Sequence, residues 1–345
     1  MDKNITPVVS ILMPVYNAAP FLHAAISSVL NQTFTDFELF IFNDASTDQS
    51  EFIIKNFKDQ RIRFFTSKDN RGYVYHLNEG IRMARGKYIA RMDADDVSEK
   101  ERLEKQVQFM DDNPEIGVCG AQIMIINDSD CVLGLGKHYL KNEELRVRLF
   151  FDSCFAHPVV IIRKSVLIDN NFLYDEELIP AEDYALWNVM SYKCKLANLS
   201  DLLLKYRVHP KQVTQSSRSQ QKKSAAITRR KIVEKFIDHQ LNDPDFEFHN
   251  SLLEGDYVYS KDYIIKAKAW IEYLIKENEM KNHYEVEFFH KEMAKIWFSL
   301  CTHAYGLGPW IIRAYFSSAI NDGSISRVVL LRFVFKSVFR LNLKY

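Results

Sequence analysis

Between Tyr88 and Asp96 an apolar run, Tyr88-Ile89-Ala90-Arg91-Met92, opens into three carboxylates within four positions: Asp93, Asp95 and Asp96. Two carboxylates about 4 Å apart repel by roughly 4 kcal/mol at an effective dielectric of about 20. Such a cluster needs exposure, a shared proton or a cation. Mg2+ and Mn2+ take oxygen ligands and commonly share them with substrate phosphates, so the expected chemistry is that of a metal and phosphate site. The competing reading is a solvated turn or helix start, with Ser98 and Glu101 forming a capping box before Arg102-Leu103.

The elements around the cluster decide between these readings. Residues 8–13 and 38–42 are short, apolar, β-branched or aromatic runs that read as buried strands; 61–65 makes a third strand and 86–92 a fourth. Between them, Leu22, Ile26 and Leu30 repeat at helical spacing, the cluster Asn43 to Asp48 begins a second helix, and 74–84 is a third. Strands alternating with helices predict a parallel sheet, and ligands bind beyond the carboxyl ends of such strands. Asn17, Asp44 and the cluster from Asp93 to Asp96 all fall at those ends, so three motifs are expected to converge on one crevice. Further on, 118–126 and 158–163 read as strands and 181–193 as a helix. The polar stretch 211–224 is the expected domain boundary. Beyond it, Ile264, Ala267, Ile271 and Leu274 share one helical face, as do Phe289, Met293, Ile296 and Leu300.

Composition removes several classes. The 345 residues carry 45 basic and 45 acidic side chains, so no basic field argues for a nucleic acid partner. Five scattered cysteines without a Cys-x-x-Cys pair fit reduced thiols and a cytoplasmic location rather than zinc. No run reaches the roughly 18 apolar residues of a membrane span, and the N-terminal run is too short for a signal peptide. Gly86-Lys87 lacks the earlier glycine and the following Ser or Thr of a phosphate loop, so that reading fails.

Five ordered motifs carry a resemblance: Val9-Ser10-Ile11-Leu12-Met13-Pro14-Val15-Tyr16-Asn17, Asn31-Gln32-Thr33, Asn43-Asp44-Ala45-Ser46-Thr47-Asp48, Asn70-Arg71-Gly72 and Asp93-Ala94-Asp95-Asp96. Together they resemble glycosyltransferase family 2, inverting enzymes of the GT-A fold, over roughly residues 8 to 215. Downstream, Ala181-Glu182-Asp183-Tyr184 with Trp187, then Tyr206-Arg207-Val208-His209 and Gln212-Val213, is similar to bacterial lipooligosaccharide β-1,3-N-acetylglucosaminyltransferases and related surface-glycan transferases.

The resemblance implies an α/β fold with a Rossmann-like GT-A catalytic domain over 1–215, and the shared helical faces beyond it predict a mainly α-helical domain over 216–345. It implies a UDP-sugar donor, best read as UDP-N-acetylglucosamine with galactose, glucose and N-acetylgalactosamine as alternatives, a glycan or lipid-linked glycan acceptor, and Mn2+ or Mg2+. Pro14, Val15 and Asn17 would border the nucleobase, with Asp44 on the uracil or ribose; Asp44 as a helix N-cap is the alternative. Asn43 departs from the aspartate common in relatives and removes one charge there. Asp93 would lie near ribose or metal, Asp95 would ligate the ion, and Asp96 would support both. Arg71 and Arg91 are secondary candidates for phosphate or sugar contacts. Asp183 would be the general base that takes the acceptor hydroxyl proton, oriented by Glu182; a plain helix cap is the alternative. His209 would complete the metal shell, and the turn His157-Pro158 resembles an acceptor-side motif.

The tail, 325–345, carries Arg327, Arg332, Lys336, Arg340 and Lys344 without an acid, among Val328, Val329, Leu330, Phe333, Phe335, Val338 and Phe339. Four of the bases step by four, which predicts a cationic stripe beside an apolar face. Such a helix lies on the anionic inner face of the cytoplasmic membrane, or packs on the tail domain or on a second subunit of a homo-oligomer. Two other classes compete with the enzyme reading. A haloacid-dehalogenase-like phosphatase would need its aspartate after the first strand, where Pro14-Val15-Tyr16-Asn17 stands. A non-catalytic nucleotide-sugar-binding scaffold would not need Asp93, Asp95 and Asp183.

Overall fold

The computed structural model describes residues 6–210, 212 and 217–340. It divides into two compact units that meet between Thr228 and Arg229. In the first unit, β1 (Val9–Val15), β2 (Phe37–Asn43), β3 (Ile62–Thr66) and β4 (Tyr88–Arg91) are parallel and lie in the order β3-β2-β1-β4. Every residue of β1, β2 and β4 is buried. That is why these strands are continuous apolar runs rather than alternating ones: both faces of the sheet are covered.

The covering helices are α1 (Ala19–Leu30), α2 (Ser50–Asn56), α3 (Tyr73–Met83) and α4 (Arg102–Asp112). The first one buries Leu22, Ala25, Ile26 and Val29 against the sheet. Its free N-terminal amides are satisfied from the next loop, Ala19 by Asp48 Oδ2 and Ala18 by Ser50 Oγ, each at 3.0 Å. The polar cluster ends at Asp48, whose other oxygen accepts from Ser50 N at the start of α2. Gly86 is required by close approach: a Cβ there would meet Ser10 N at 2.6 Å and the Val9 carbonyl carbon at 2.8 Å. Lys87 pairs with Asp111 and takes no part in a phosphate loop.

The parallel arrangement expected of the first four strands forms, and the later strands make the sheet mixed. β5 (Val97–Ser98), β6 (Ile116–Ile126), β7 (Val132–Gly136), β8 (Ile161–Arg163) and β9 (Lys195–Arg207) complete a nine-stranded mixed sheet. β8 is antiparallel to β4 and β6, whereas β6 and β9 run parallel to each other. The carboxyl ends of β1, β2, β4, β6 and β9 therefore share one edge with the start of β8. Ser98 belongs to β5, and α4 starts at Arg102 without a side-chain cap, so the capping-box reading is not what forms. Tyr206 and Arg207 end β9. α5 (Asn142–Phe151), α6 (Lys164–Asp169) and α7 (Glu182–Met190) fill the connections.

The polar stretch expected as a boundary is helical from Arg218, where α8 (Arg218–Ile237) begins; residues 211 and 213–216 lie outside the described ones. The second unit is helical: α9 (Asp243–Glu254), α10 (Lys261–Lys281), α11 (Val286–His303), α12 (Pro309–Phe316) and α13 (Arg327–Phe339). Its boundaries follow from capping. Asn242, Ser260, Glu285 and Ser326 accept from amides of the first turns. Gly255 and Asn282 close α9 and α10 in the left-handed conformation. Ile264, Ala267, Ile271 and Leu274 are buried as one face, but on α11 it is Trp297 rather than Ile296 that fills the core. No helix among the described residues is long and apolar enough to cross a membrane.

Candidate active site

The acidic cluster follows β4 on the shared edge. Asp93, Asp95 and Asp96 each place a carboxylate oxygen within 4.8 Å of the others'. Asp93 pairs with Arg91 Nη1 at 2.5 Å, and Asp95 Oδ2 meets His209 Nε2 at 3.0 Å. Asp96 is fully buried; its Oδ1 accepts from Arg207 N at 2.8 Å, while its Oδ2 has no partner. Burial, then repulsion from the neighbouring carboxylates, pushes the Asp95 and Asp96 carboxyls up. Buried polar atoms are ordinarily paired, so three converging carboxylates with an orphaned oxygen and an imidazole beside them fit a divalent cation.

The end of β9 locks this geometry. Arg207 donates through Nε to the Asp95 carbonyl and through Nη1 to the Asn127 carbonyl, and pairs with Asp130 at 2.7 Å. Its guanidinium carbon sits 4.6 Å from the centre of the Phe21 ring, which also packs on His209. Strand pairing thus carries His209 to Asp95 across 114 positions of chain.

Along the same edge, Pro14 and Val15 are buried in β1, and the Val15 carbonyl accepts from Asp44 N. Asn17 is left-handed, with φ 49°, and its Oδ1 accepts from Thr47 N at 2.8 Å. It therefore stitches the loop after β1 to the loop after β2. Asp44 is buried and takes three bonds: Arg71 N at 2.7 Å, Gly72 N at 2.8 Å and His76 Nε2 at 2.8 Å. The carboxylate caps neither α2 nor α3: it holds the two amides that lead into α3 and the His76 ring on that helix. Arg71 itself is exposed, stacked 3.7 Å from the Tyr75 ring centre and bonded to its hydroxyl.

Glu182 and Asp183 open α7, whose cap position is Ala181, so neither is the cap. Glu182 is buried and accepts from the Tyr73 hydroxyl at 2.9 Å; Asp183 is partly exposed and accepts from Ser153 Oγ at 3.1 Å. Phe155, His157 and Tyr174 pack edge-on to the buried Trp187 of the same helix. Loss of solvent pushes Asp183 up to about 6, and the same loss plus the Asp183 charge pushes Glu182 up to about 8. His157 bonds the Tyr174 hydroxyl at 2.9 Å, and burial holds its pKa well below the ordinary range.

Arg91 connects the two acidic groups. It is buried, its Nε has no partner, and its charge acts on Asp93, Glu182 and His157. Reading the sequence misses Tyr73 and Ser153, which hold the second acidic pair, and Tyr16, 53% exposed beside Asn17. The signal for Tyr73 was its place directly after Asn70-Arg71-Gly72; Ser153 carries none. A cleft of about 750 Å³ at the opposite edge, lined by Thr35, Glu38, Arg61 and Arg85, holds no such cluster: Arg85 is paired with Glu38 and Arg61 with Asp59.

Residues 10–169 match the family described as "Glycosyl transferase family 2". The O-antigen biosynthesis glycosyltransferase WbnJ of Escherichia coli is 31% identical over 63% of this chain and 86% of its own. The chain belongs to glycosyltransferase family 2. Other relatives of this family 2 glycosyltransferase include an uncharacterized glycosyltransferase of Haemophilus influenzae, 29% identical over 78% of this chain and 86% of its own. The UDP-Glc:alpha-D-GlcNAc-diphosphoundecaprenol beta-1,3-glucosyltransferase WfgD of E. coli is 32% identical over 52% and 68%. Among solved structures, S. aureus TarS 1-349 in complex with UDP-GlcNAc aligns at TM-score 0.52 and 16% identity, covering 96% of this chain and 90% of that one. The mannosyltransferase PcManGT from Pyrobaculum calidifontis, in complex with GDP-Man and Mn2+, aligns at 0.53 and 12%, covering 98% and 87%. At those identities the likeness establishes the fold, which is GT-A with a helical C-terminal region.

Proposed function

We propose that this family 2 glycosyltransferase moves a sugar, N-acetylglucosamine in the first instance, from a UDP-sugar to a bacterial surface glycan with inversion at the anomeric carbon. The catalytic portion is residues 1–215, and 216–345 is the helical portion. The observation that carries the reading is that one buried cation, Arg91, pairs with Asp93 of the acidic cluster and acts through its charge on Glu182 of the second acidic pair. Asp95, Asp93 and His209 would hold Mn2+ or Mg2+, which when bound supplies the positive charge that a departing nucleoside diphosphate requires. Pro14, Val15, Asn17 and Asp44 shape the nucleoside end, and Arg71, exposed and stacked on Tyr75, is the candidate for a phosphate contact. Asp183 accepts the proton of the acceptor hydroxyl, whose oxygen bonds to the anomeric carbon as the bond to UDP breaks.

N-acetylglucosamine is supported by TarS, whose structure holds UDP-GlcNAc, and the surface-glycan acceptor by WbnJ. Glucose is the second reading, because WfgD is a UDP-Glc-dependent transferase. Release of UDP from UDP-N-acetylglucosamine, UDP-glucose, UDP-galactose and UDP-N-acetylgalactosamine, with Mn2+, Mg2+ or chelator, tests the proposal. Metal-dependent release from one donor above the others is expected. Binding of UDP-sugars without release of UDP under any condition would favour the nucleotide-sugar-binding scaffold and overturn it.

A further inference from the structure

The last described helix, α13, exposes its apolar side. Val328, Leu331, Phe335, Val338 and Phe339 are 47 to 69% exposed, whereas Phe333 and Ser337 are fully buried. Steps of three, four and three place Val328, Leu331, Phe335 and Val338 in one row. The cationic stripe expected from the sequence is partly turned inward instead. Lys336 is buried with Nζ 4.9 Å from the centre of the Tyr305 ring, while Arg340, still exposed, lays its guanidinium over Gly308, where a Cβ would come within 3.1 Å of it. Lys344 lies outside the described residues.

Arg327 and Arg332 stay exposed. At 100° per residue they fall on opposite sides of the apolar row. Between Gly323 and Arg340 there is no Asp or Glu. A row of large apolar side chains flanked by bases is left in water only at a cost, and marks a contact surface. A second copy placed by a two-fold axis would set these arginines near their own counterparts with no acid to answer them. An anionic lipid surface takes the apolar row below its headgroups and the bases among them.

We propose that α13 docks the helical unit on an anionic lipid surface, with Val328, Leu331, Phe335 and Val338 inserted and Arg327 and Arg332 at the headgroups. This inference is independent of the sugar and acceptor assignments. The test is co-sedimentation of the full chain with vesicles of phosphatidylglycerol and phosphatidylcholine, against phosphatidylcholine alone. The wild type is expected to bind only the anionic vesicles. Leu331→Glu/Phe335→Glu, at exposed positions and with an unchanged circular dichroism spectrum, is expected to abolish binding. Arg332→Gln should weaken it roughly fivefold. The proposal is overturned if the double variant sediments like the wild type or if binding ignores lipid charge. It is also overturned if the wild type does not bind anionic vesicles, including the case of a dimer that the double variant breaks, which would assign the row to a second copy.

Discussion

The Tyr73 hydroxyl donates to Glu182 Oε2 at 2.9 Å, joining the first residue of α3 to the first residue of α7 across 109 positions. The same end of α3 is gripped by Asp44, through the amides of Arg71 and Gly72. One helix terminus therefore serves both the proposed nucleoside end and the proposed base.

Removing that hydroxyl leaves a buried carboxylate short of a donor, at about 1–3 kcal/mol. Tyr73→Phe is expected to lower kcat roughly tenfold, equivalent to about 1.4 kcal/mol of barrier, with little change in KM for the donor. Steady-state kinetics checks this, and an unchanged kcat removes Tyr73 from the machinery.

A general base works only when charged. With Asp183 raised to about 6 from the ordinary 3.8, kcat should climb through pH 6 and level off above it. Asp183→Asn should lose about 10²- to 10⁴-fold in kcat while titration calorimetry finds UDP affinity intact. Full activity near pH 4.5 would sink the assignment. Stability runs the other way. The raised carboxyls of Glu182 and Asp183 favour the folded state fully below the ordinary carboxylate range. That contribution disappears as the pH climbs through about 6 and then about 8. The thermal midpoint is expected to fall across the interval in which turnover rises.

Asp95→Asn removes a carboxylate that faces Asp93, Asp96 and His209. Mn2+-dependent UDP binding should vanish from calorimetry, and Mn2+ should no longer raise the thermal midpoint. Retention of both would show that the cluster is held together by other means.

Gly86→Ala forces a methyl against the backbone of β1. Overpacking of this kind costs about 1–3 kcal/mol. A lowered thermal midpoint with an unaltered KM is expected, and a midpoint equal to the wild type would show that the strands can separate there.

β1, β2 and β4 were legible because burial on both faces makes them largely apolar runs, whereas β3, only partly buried, was legible from Ile62, Phe64 and Phe65. β9 was not: Ser200 and Asp201 interrupt Lys195–Arg207, and its pairing with β6 shifts register near Gln122. Its loss hid the route by which His209 reaches Asp95. Asp44 was legible as a carboxylate at a strand end, but the first amide it holds lies 27 residues away, beyond any local signal. The bases of α13 were legible as a period of four. That Lys336 turns inward depends on the Tyr305 ring it packs against, a tertiary matter.

Because β8 runs against β4, the segment carrying Ser153 and His157 enters the shared edge from the opposite direction to the acidic cluster. On the proposed reading the donor half, His209 apart, is written in the first hundred residues and most of the acceptor half in a later block, linked through Arg91 and Tyr73. That layout is a natural cut point for chimeras: exchanging the block from α5 to α7 while keeping those two residues should redirect the acceptor and leave the donor choice alone.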